Sequence, residues 1–140
     1  GIVPAGLGMD GHGYVLDDLS DKYSPDAWAK KAVAAYHQWQ ADAIIAEVNN
    51  GGDMVEHTIK TIDRSVRVKK VHATRGKLLR AEPVAALDEQ HKVHHVGCFP
   101  QMEDQMCNWV QGDRSPDRLD ARVWAITDLI LQEQREWRIS

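Results

Sequence analysis

Apolar positions near the end of the chain recur at helical spacing. Leu119, Val123, Ile126 and Ile130 follow one another at steps of four, three and four, and Trp124 and Leu131 widen the stripe into a face fit for burial. Ser115 and Pro116 open the stretch with a hydroxyl that can accept from an orphan amide and a ring whose φ is already helical. The same serine–proline start recurs at Ser24 and Pro25, ahead of Trp28, Ala32, Val33, Tyr36 and Trp39 at helical spacing. Two helices are expected there, with those aromatics in the core.

The remaining segments alternate between strand and helix patterns. "GIVPAGLG" and "GYVLDDLS", separated by "MDGHG", read as a hairpin with a glycine-rich loop. "ADAIIAEV" is a short apolar run of buried-strand type, "NNGG" a loop and "DMVEHTIKTI" a helix. "SVRVKKVHA" alternates like a strand, the segment from Lys77 to about Gln90 reads as a helix, "KVHHVG" as a short strand and "FPQMEDQMCNW" as a short helix. This order predicts an α/β fold whose sheet is part antiparallel and part parallel.

Composition narrows the class. At 140 residues, 43% hydrophobic and 27% charged, the chain suits one soluble domain, residues 1–140, with one core, and excludes disordered and collagen-like proteins. No apolar stretch approaches the roughly 20 residues of a membrane span and no charged-then-apolar leader opens the chain, so no membrane partner and a cytoplasmic location are expected. Cys98 and Cys107 are too few for a disulfide scaffold and lack CxxC spacing, which predicts reduced packing thiols.

Charge is unevenly placed. The net charge is −4, yet eight of the 17 lysines and arginines fall between Lys60 and Arg80, against the single acid Asp63. Arg75, Lys77 and Arg80 gather where a strand pattern gives way to a helix, the kind of junction at which open α/β sheets keep ligand sites. A solvated basic face is the plain alternative.

Three acids demand an account. Asp117 would lie in the first turn of the last helix, where the helix dipole favours a carboxylate. Asp120 lies beyond that turn on the edge of the apolar stripe, which suggests a buried salt bridge or a metal or proton-handling site. Glu47 ends an apolar strand, where a buried carboxylate needs a partner, a hydrogen bond or a metal. Acids so placed suit two-metal phosphodiester chemistry, in which carboxylates hold hard divalent cations. A buried bridge, for instance from Glu47 to Lys77, is the structural alternative.

"AEVNNGGDMVEHTI", "HATRGKLLRAEPVAALDEQHKVHHVGCFPQMEDQMCNW" and "SPDRLDARVWAITDLIL" resemble the nuclease domain of phage and prophage terminase large subunits, the DNA-packaging motors of tailed phages and gene-transfer-agent-type elements. The resemblance runs from the first hairpin to the last helix, and the order and spacing of its short motifs make it specific. It implies an RNase H-like mixed sheet flanked by helices and a metal-dependent endonuclease that cuts concatemeric double-stranded DNA in the bacterial cytoplasm. Glu47 matches the glutamate of the strand-end motif, Asp120 the last aspartate of "SPDRxDA", and Asp117 an auxiliary polar position; all three are thereby expected at a Mg²⁺ or Mn²⁺ site. Lys77 matches a lysine kept beside the acids, and Arg75, Lys77 and Arg80 are expected on DNA. The terminase small subunit and the portal are the implied protein partners.

Two departures accompany the resemblance. The family's first metal-binding aspartate lies upstream of the hairpin, and this sequence starts at "GIVPAGLG", so that acid and the first sheet strand are expected to be missing and the fragment to be inactive on its own. No GxxxxGK[ST] motif occurs, so no ATPase domain and no ATP hydrolysis are expected here. Asp10, Asp17 and Asp18 do not match the lost position. The alternative from another class is a noncatalytic module docking DNA or the portal, its acids only salt-bridged; within enzymes it is a resolvase-type nuclease. "HKVHHVGC" offers His91, His94, His95 and Cys98 as a zinc reading, but adjacent histidines on a strand point to opposite faces.

Overall fold

A computed structural model of the chain describes residues 1–48, 53–72, 77–108 and 117–132. In chain order its elements are β1 (Ala5–Leu7), β2 (Gly13–Val15), α1 (Pro25–Gln38), β3 (Ile44–Glu47), α2 (Asp53–Ile62), β4 (Val68–Val71), α3 (Lys77–Glu89), β5 (Val93–His95), α4 (Pro100–Asn108) and α5 (Asp117–Ile126), which runs into a π-helical segment (Thr127–Gln132). They form two compact units, the first from residues 1–20 and 75–140 and the second from residues 21–74.

The first unit is built on a three-stranded sheet of order β1-β2-β5. β1 and β2 are antiparallel, with Ala5 opposite Val15 and Leu7 opposite Gly13, while β5 runs parallel to β2 with Gly13 opposite Val93. The hairpin loop is closed by Gly8 N–H donating to His12 O at 2.8 Å, and Gly11 takes the left-handed φ of 79° that the turn requires. The ladder is shorter than the apolar segments, but Leu16 N–H to Pro4 O and Leu19 N–H to Ile2 O continue the pairing beyond it.

The stripe on α5 is buried as its spacing predicts. Leu119, Val123, Ile126 and Ile130 form one core cluster with Val15, Val84 and Met102. Gly13 makes this packing possible. A Cβ there would stand 3.0 Å from Ile126 Cδ1 and 3.2 Å from Ile130 Cδ1, so the absence of a side chain lets the helix lie close on β2. Gln105 of α4 accepts from Leu119 N–H at 3.1 Å, satisfying an orphan donor in the first turn of α5. On α4 itself, Glu103 accepts from Phe99 N–H at 2.8 Å in the manner of a capping box. Pro83 sits inside α3 on its exposed side and removes one helical N–H there.

In the second unit β3 and β4 pair in parallel, Ile44 opposite Val68 through to Glu47 opposite Val71. Ala29, Val33, Ile59 and Val66 form its core, with Trp28 and Tyr36 packed against them. Ser24 has the extended backbone of an N-cap and accepts from Ala27 N–H at 3.3 Å, with Pro25 as the first helical residue.

Several expectations need correction. Where length suggested one core, two clusters form, one in each unit. The expected mixed sheet is present in β1-β2-β5, antiparallel then parallel, while β3 and β4 pair as a separate two-stranded sheet. Trp39 is exposed rather than buried, because it is the residue that ends α1, followed by Gln40 at the left-handed φ of 50°. Cys98 and Cys107 are exposed free thiols, not packing residues. Ser115, Pro116 and the "NNGG" loop lie outside the described residues.

Candidate active site

Asp120 is the fourth residue of α5 and is largely covered, and a carboxylate so placed needs a counter-charge. Arg80 of α3 supplies it: Nη2 donates to Asp120 Oδ1 at 3.1 Å, with the two side chains 9% and 16% exposed. The guanidinium also lies 5.0 Å from the centre of the Trp124 ring, one turn further along α5. The expectation of Arg80 on DNA therefore meets a different placement, turned inward onto an acid and an indole.

A second arginine, Arg122, clamps the same two helices. Arg122 is 2% exposed and grips Asp88 of α3 with both arms, Nη1 to Oδ2 at 3.0 Å and Nη2 to Oδ1 at 2.5 Å. Its Nε donates to His95 Nε2 at 3.1 Å, so that nitrogen is unprotonated and Nδ1 carries the proton. Burial, and then the Arg122 charge, hold the His95 pKa below its ordinary value. The signal was available, since Arg122 stands at i+3 from Leu119 and i−4 from Ile126, within the buried arc. Arg118 completes the set, bonding Asp18 Oδ2 at 2.9 Å and Ser20 O at 2.8 Å. Through Arg118, Asp120 and Arg122 the helix that carries two of the candidate acids is fixed in rotation and height.

Glu47 is the last residue of β3, as the spacing predicts, but it is exposed rather than buried. It closes the strand, and its exposure keeps the desolvation cost of its charge small. Glu47 belongs to the second unit and Asp120 to the first. Asp117 opens α5 and Lys77 opens α3, so the predicted elements start at these residues; their side chains, and Arg75 entirely, lie outside the described part.

Carboxylates are the oxygen donors that hard cations select, and Asp117 and Asp120 stand three residues apart, which places them on one face of α5. By donor chemistry Glu47, Asp117 and Asp120 fit Mg²⁺ or Mn²⁺. Among the described residues no three His, Cys, Asp or Glu side chains converge as a ready-made site.

The histidines do not gather. His94 meets His12 across β2 and β5, with His12 Nδ1 and His94 Nε2 2.9 Å apart and ring planes 20° from one another. That is the geometry of an in-plane N–H···N bond, with the lone pair aimed at its neighbour and not at a third point where a metal could sit. His95 turns to the other face, onto Arg122 and Phe99, and His91 and Cys98 are exposed. The hairpin loop adds Tyr14 Oη donating to Asp10 Oδ2 at 2.6 Å, which with the His12 N–H holds the Asp10 pKa down and pushes that of Tyr14 up.

Residues 5–129 match the family described as the terminase RNaseH-like domain. This chain belongs to that family. No curated protein sequence matches the terminase domain at a significant level. Among solved structures it is similar to the yeast mitochondrial Holliday junction resolvase Ydc2, with a TM-score of 0.53 and 13% identity over 96% of this chain and 76% of the resolvase. That likeness agrees on the fold, RNase H-like α/β with a mixed sheet and flanking helices. The terminase domain is thus a nuclease-type domain, and the elements that carry the candidate acids, β3 and α5, both fall within the matched span.

Proposed function

We propose that this domain is the metal-dependent endonuclease of a phage or prophage terminase large subunit, cutting concatemeric double-stranded DNA during packaging in the bacterial cytoplasm. The observation that carries the reading is the family match over residues 5–129, which takes in Glu47 at the end of β3 and the opening of α5. Glu47 and Asp120 would hold Mg²⁺ or Mn²⁺ with help from Asp117, and the metals would supply an activated water and a steadied leaving oxygen. The chain's own part is to place oxygen donors and hold them. Arg118 and Arg122 fix α5, the helix that Asp117 opens and that carries Asp120. Lys77 would tune the acids, and Arg75 and Lys77 would meet phosphates, giving salt-dependent binding without sequence readout. The small subunit and portal are the partners this role requires.

The test is nicking of supercoiled plasmid in Mn²⁺ by the chain extended upstream by one strand, where the resemblance puts the first acid. Cutting that stops with chelator and with Glu47→Ala or Asp120→Ala is expected; cutting indifferent to both substitutions would end the metal-site assignment.

A second reading has an observation in its favour. The Arg80–Asp120 bridge is what a noncatalytic module docking DNA or the portal would contain. In that case Mg²⁺ and Mn²⁺ leave the melting temperature unchanged, whereas a metal site raises it with cation concentration.

A further inference from the structure

Arg80 comes from the most basic stretch of the chain, yet its charge is turned inward. Asp120 and Trp124 lie one turn apart on α5 and together form a two-sided seat: the Trp124 ring lies under the guanidinium carbon at 5.0 Å and the carboxylate accepts from Nη2 at 3.1 Å. With the side chains only 9% and 16% exposed, each charge is stabilised by the other. A DNA phosphate could use this guanidinium only after the seat had been vacated.

We propose that Arg80 is the resident counter-cation of Asp120: it holds the carboxylate while no divalent cation is bound, competes with the cation for it, and so sets the affinity of that position. This rests on the reading of Asp120 as a metal ligand. A guanidinium and a divalent cation serving one covered carboxylate repel each other across low-dielectric surroundings, so the arrival of the cation weakens the Arg80–Asp120 bond and shifts the guanidinium on Trp124. Arg80 is then a positioning residue and not a DNA contact. Two properties separate this from a scaffold or phosphate-binding role. Neutralising Arg80 tightens cation binding, where loss of a mere scaffold weakens it. Metal-free DNA binding keeps its salt dependence, where loss of a phosphate contact lowers the slope by about one.

The experiment titrates Mn²⁺ into the 140-residue chain and its Arg80→Gln, Arg80→Lys and Asp120→Asn variants, reading free Mn²⁺ by its electron spin resonance signal. Arg80→Gln is expected to bind about tenfold tighter and Arg80→Lys within about twofold of the parent, since lysine keeps the charge. Unchanged or weaker binding by folded Arg80→Gln overturns the proposal. Asp120→Asn isolates the underlying reading, because Mn²⁺ binding that survives it removes Asp120 from the metal site and the counter-cation role with it. A second readout needs no altered arginine: Trp124 emission, taken as the difference from Trp124→Phe, must change as Mn²⁺ saturates the parent chain. Mn²⁺ binding that leaves this emission constant also overturns the proposal.

Discussion

Ion pairs do different work in the two units. In the first, α5 carries Arg118, Asp120 and Arg122 in alternation, each joined to an acid or base on another segment and each largely covered. In the second, Lys30 pairs with Asp26 one turn away on α1 with both side chains about two-thirds exposed, and His37 pairs with Asp63 at the surface. Covered pairs cost much to break because the abandoned charge stays desolvated, whereas exposed ones exchange a partner for water. Charge positions structure in the first unit and solvates it in the second. Of the three candidate acids, the two whose side chains are described differ in the same way in exposure, Asp120 largely covered and Glu47 exposed at a strand end.

The largest stability effect should come from Arg122→Met. It leaves Asp88 and His95 without their common partner, and chemical denaturation should show a loss of about 3 kcal/mol. A loss under about 0.5 kcal/mol would mean that the clamp does not fix α5. Gly13→Ala tests the packing beneath it. The added methyl meets Ile126 and Ile130, and a loss of about 2 kcal/mol is expected in the same assay. Asp120→Asn, which removes the charge that Arg80 holds, should cost about 2 kcal/mol in the absence of metal. Against these, Asp26→Asn should cost less than about 0.5 kcal/mol. An Asp26→Asn loss equal to that of Asp120→Asn would break the comparison.

Acid should reach the units in a fixed order. His95 has a depressed pKa in the folded state, so its contribution is full above the ordinary value of 6.5 and is lost as pH falls below it, where the unfolded chain takes up the proton first. Asp63 is held at about 2 by the Ser65 hydroxyl, then His37 and the Ser65 N–H, so its contribution is full above 3.8 and is lost only as pH falls toward 2. Amide protection factors, corrected for the intrinsic exchange rate at each pH, should therefore fall around His95 between pH 7.5 and pH 5 and stay constant around Asp63. The reverse order would contradict the assignment of the His95 tautomer.

Local patterns were legible in the sequence and long-range pairings were not. The serine–proline start of α1, the stripe of α5 and the opposite faces of His94 and His95 follow from periods and caps that involve a few neighbouring residues. The partner of Asp120 did not, because Arg80 lies 40 residues away and the basic run around it suggested phosphate. The His12–His94 bond depends on the β2–β5 register, with Tyr14 opposite His94, which no local pattern encodes. Arg122 was readable in principle, since a cation inside a buried stripe must be paired. Glu47 was placed at the correct strand end but assigned too much burial, because an apolar run does not say where its last side chain points.

Because Glu47 is exposed, its substitution should disturb chemistry without disturbing the fold, which makes it the direct test of the metal-nuclease claim. Plasmid nicking in Mn²⁺ would be measured for the upstream-extended domain and its Glu47→Gln variant alongside their melting curves. The account predicts loss of cutting by at least about a hundredfold with melting unchanged. Full cutting by Glu47→Gln would contradict it.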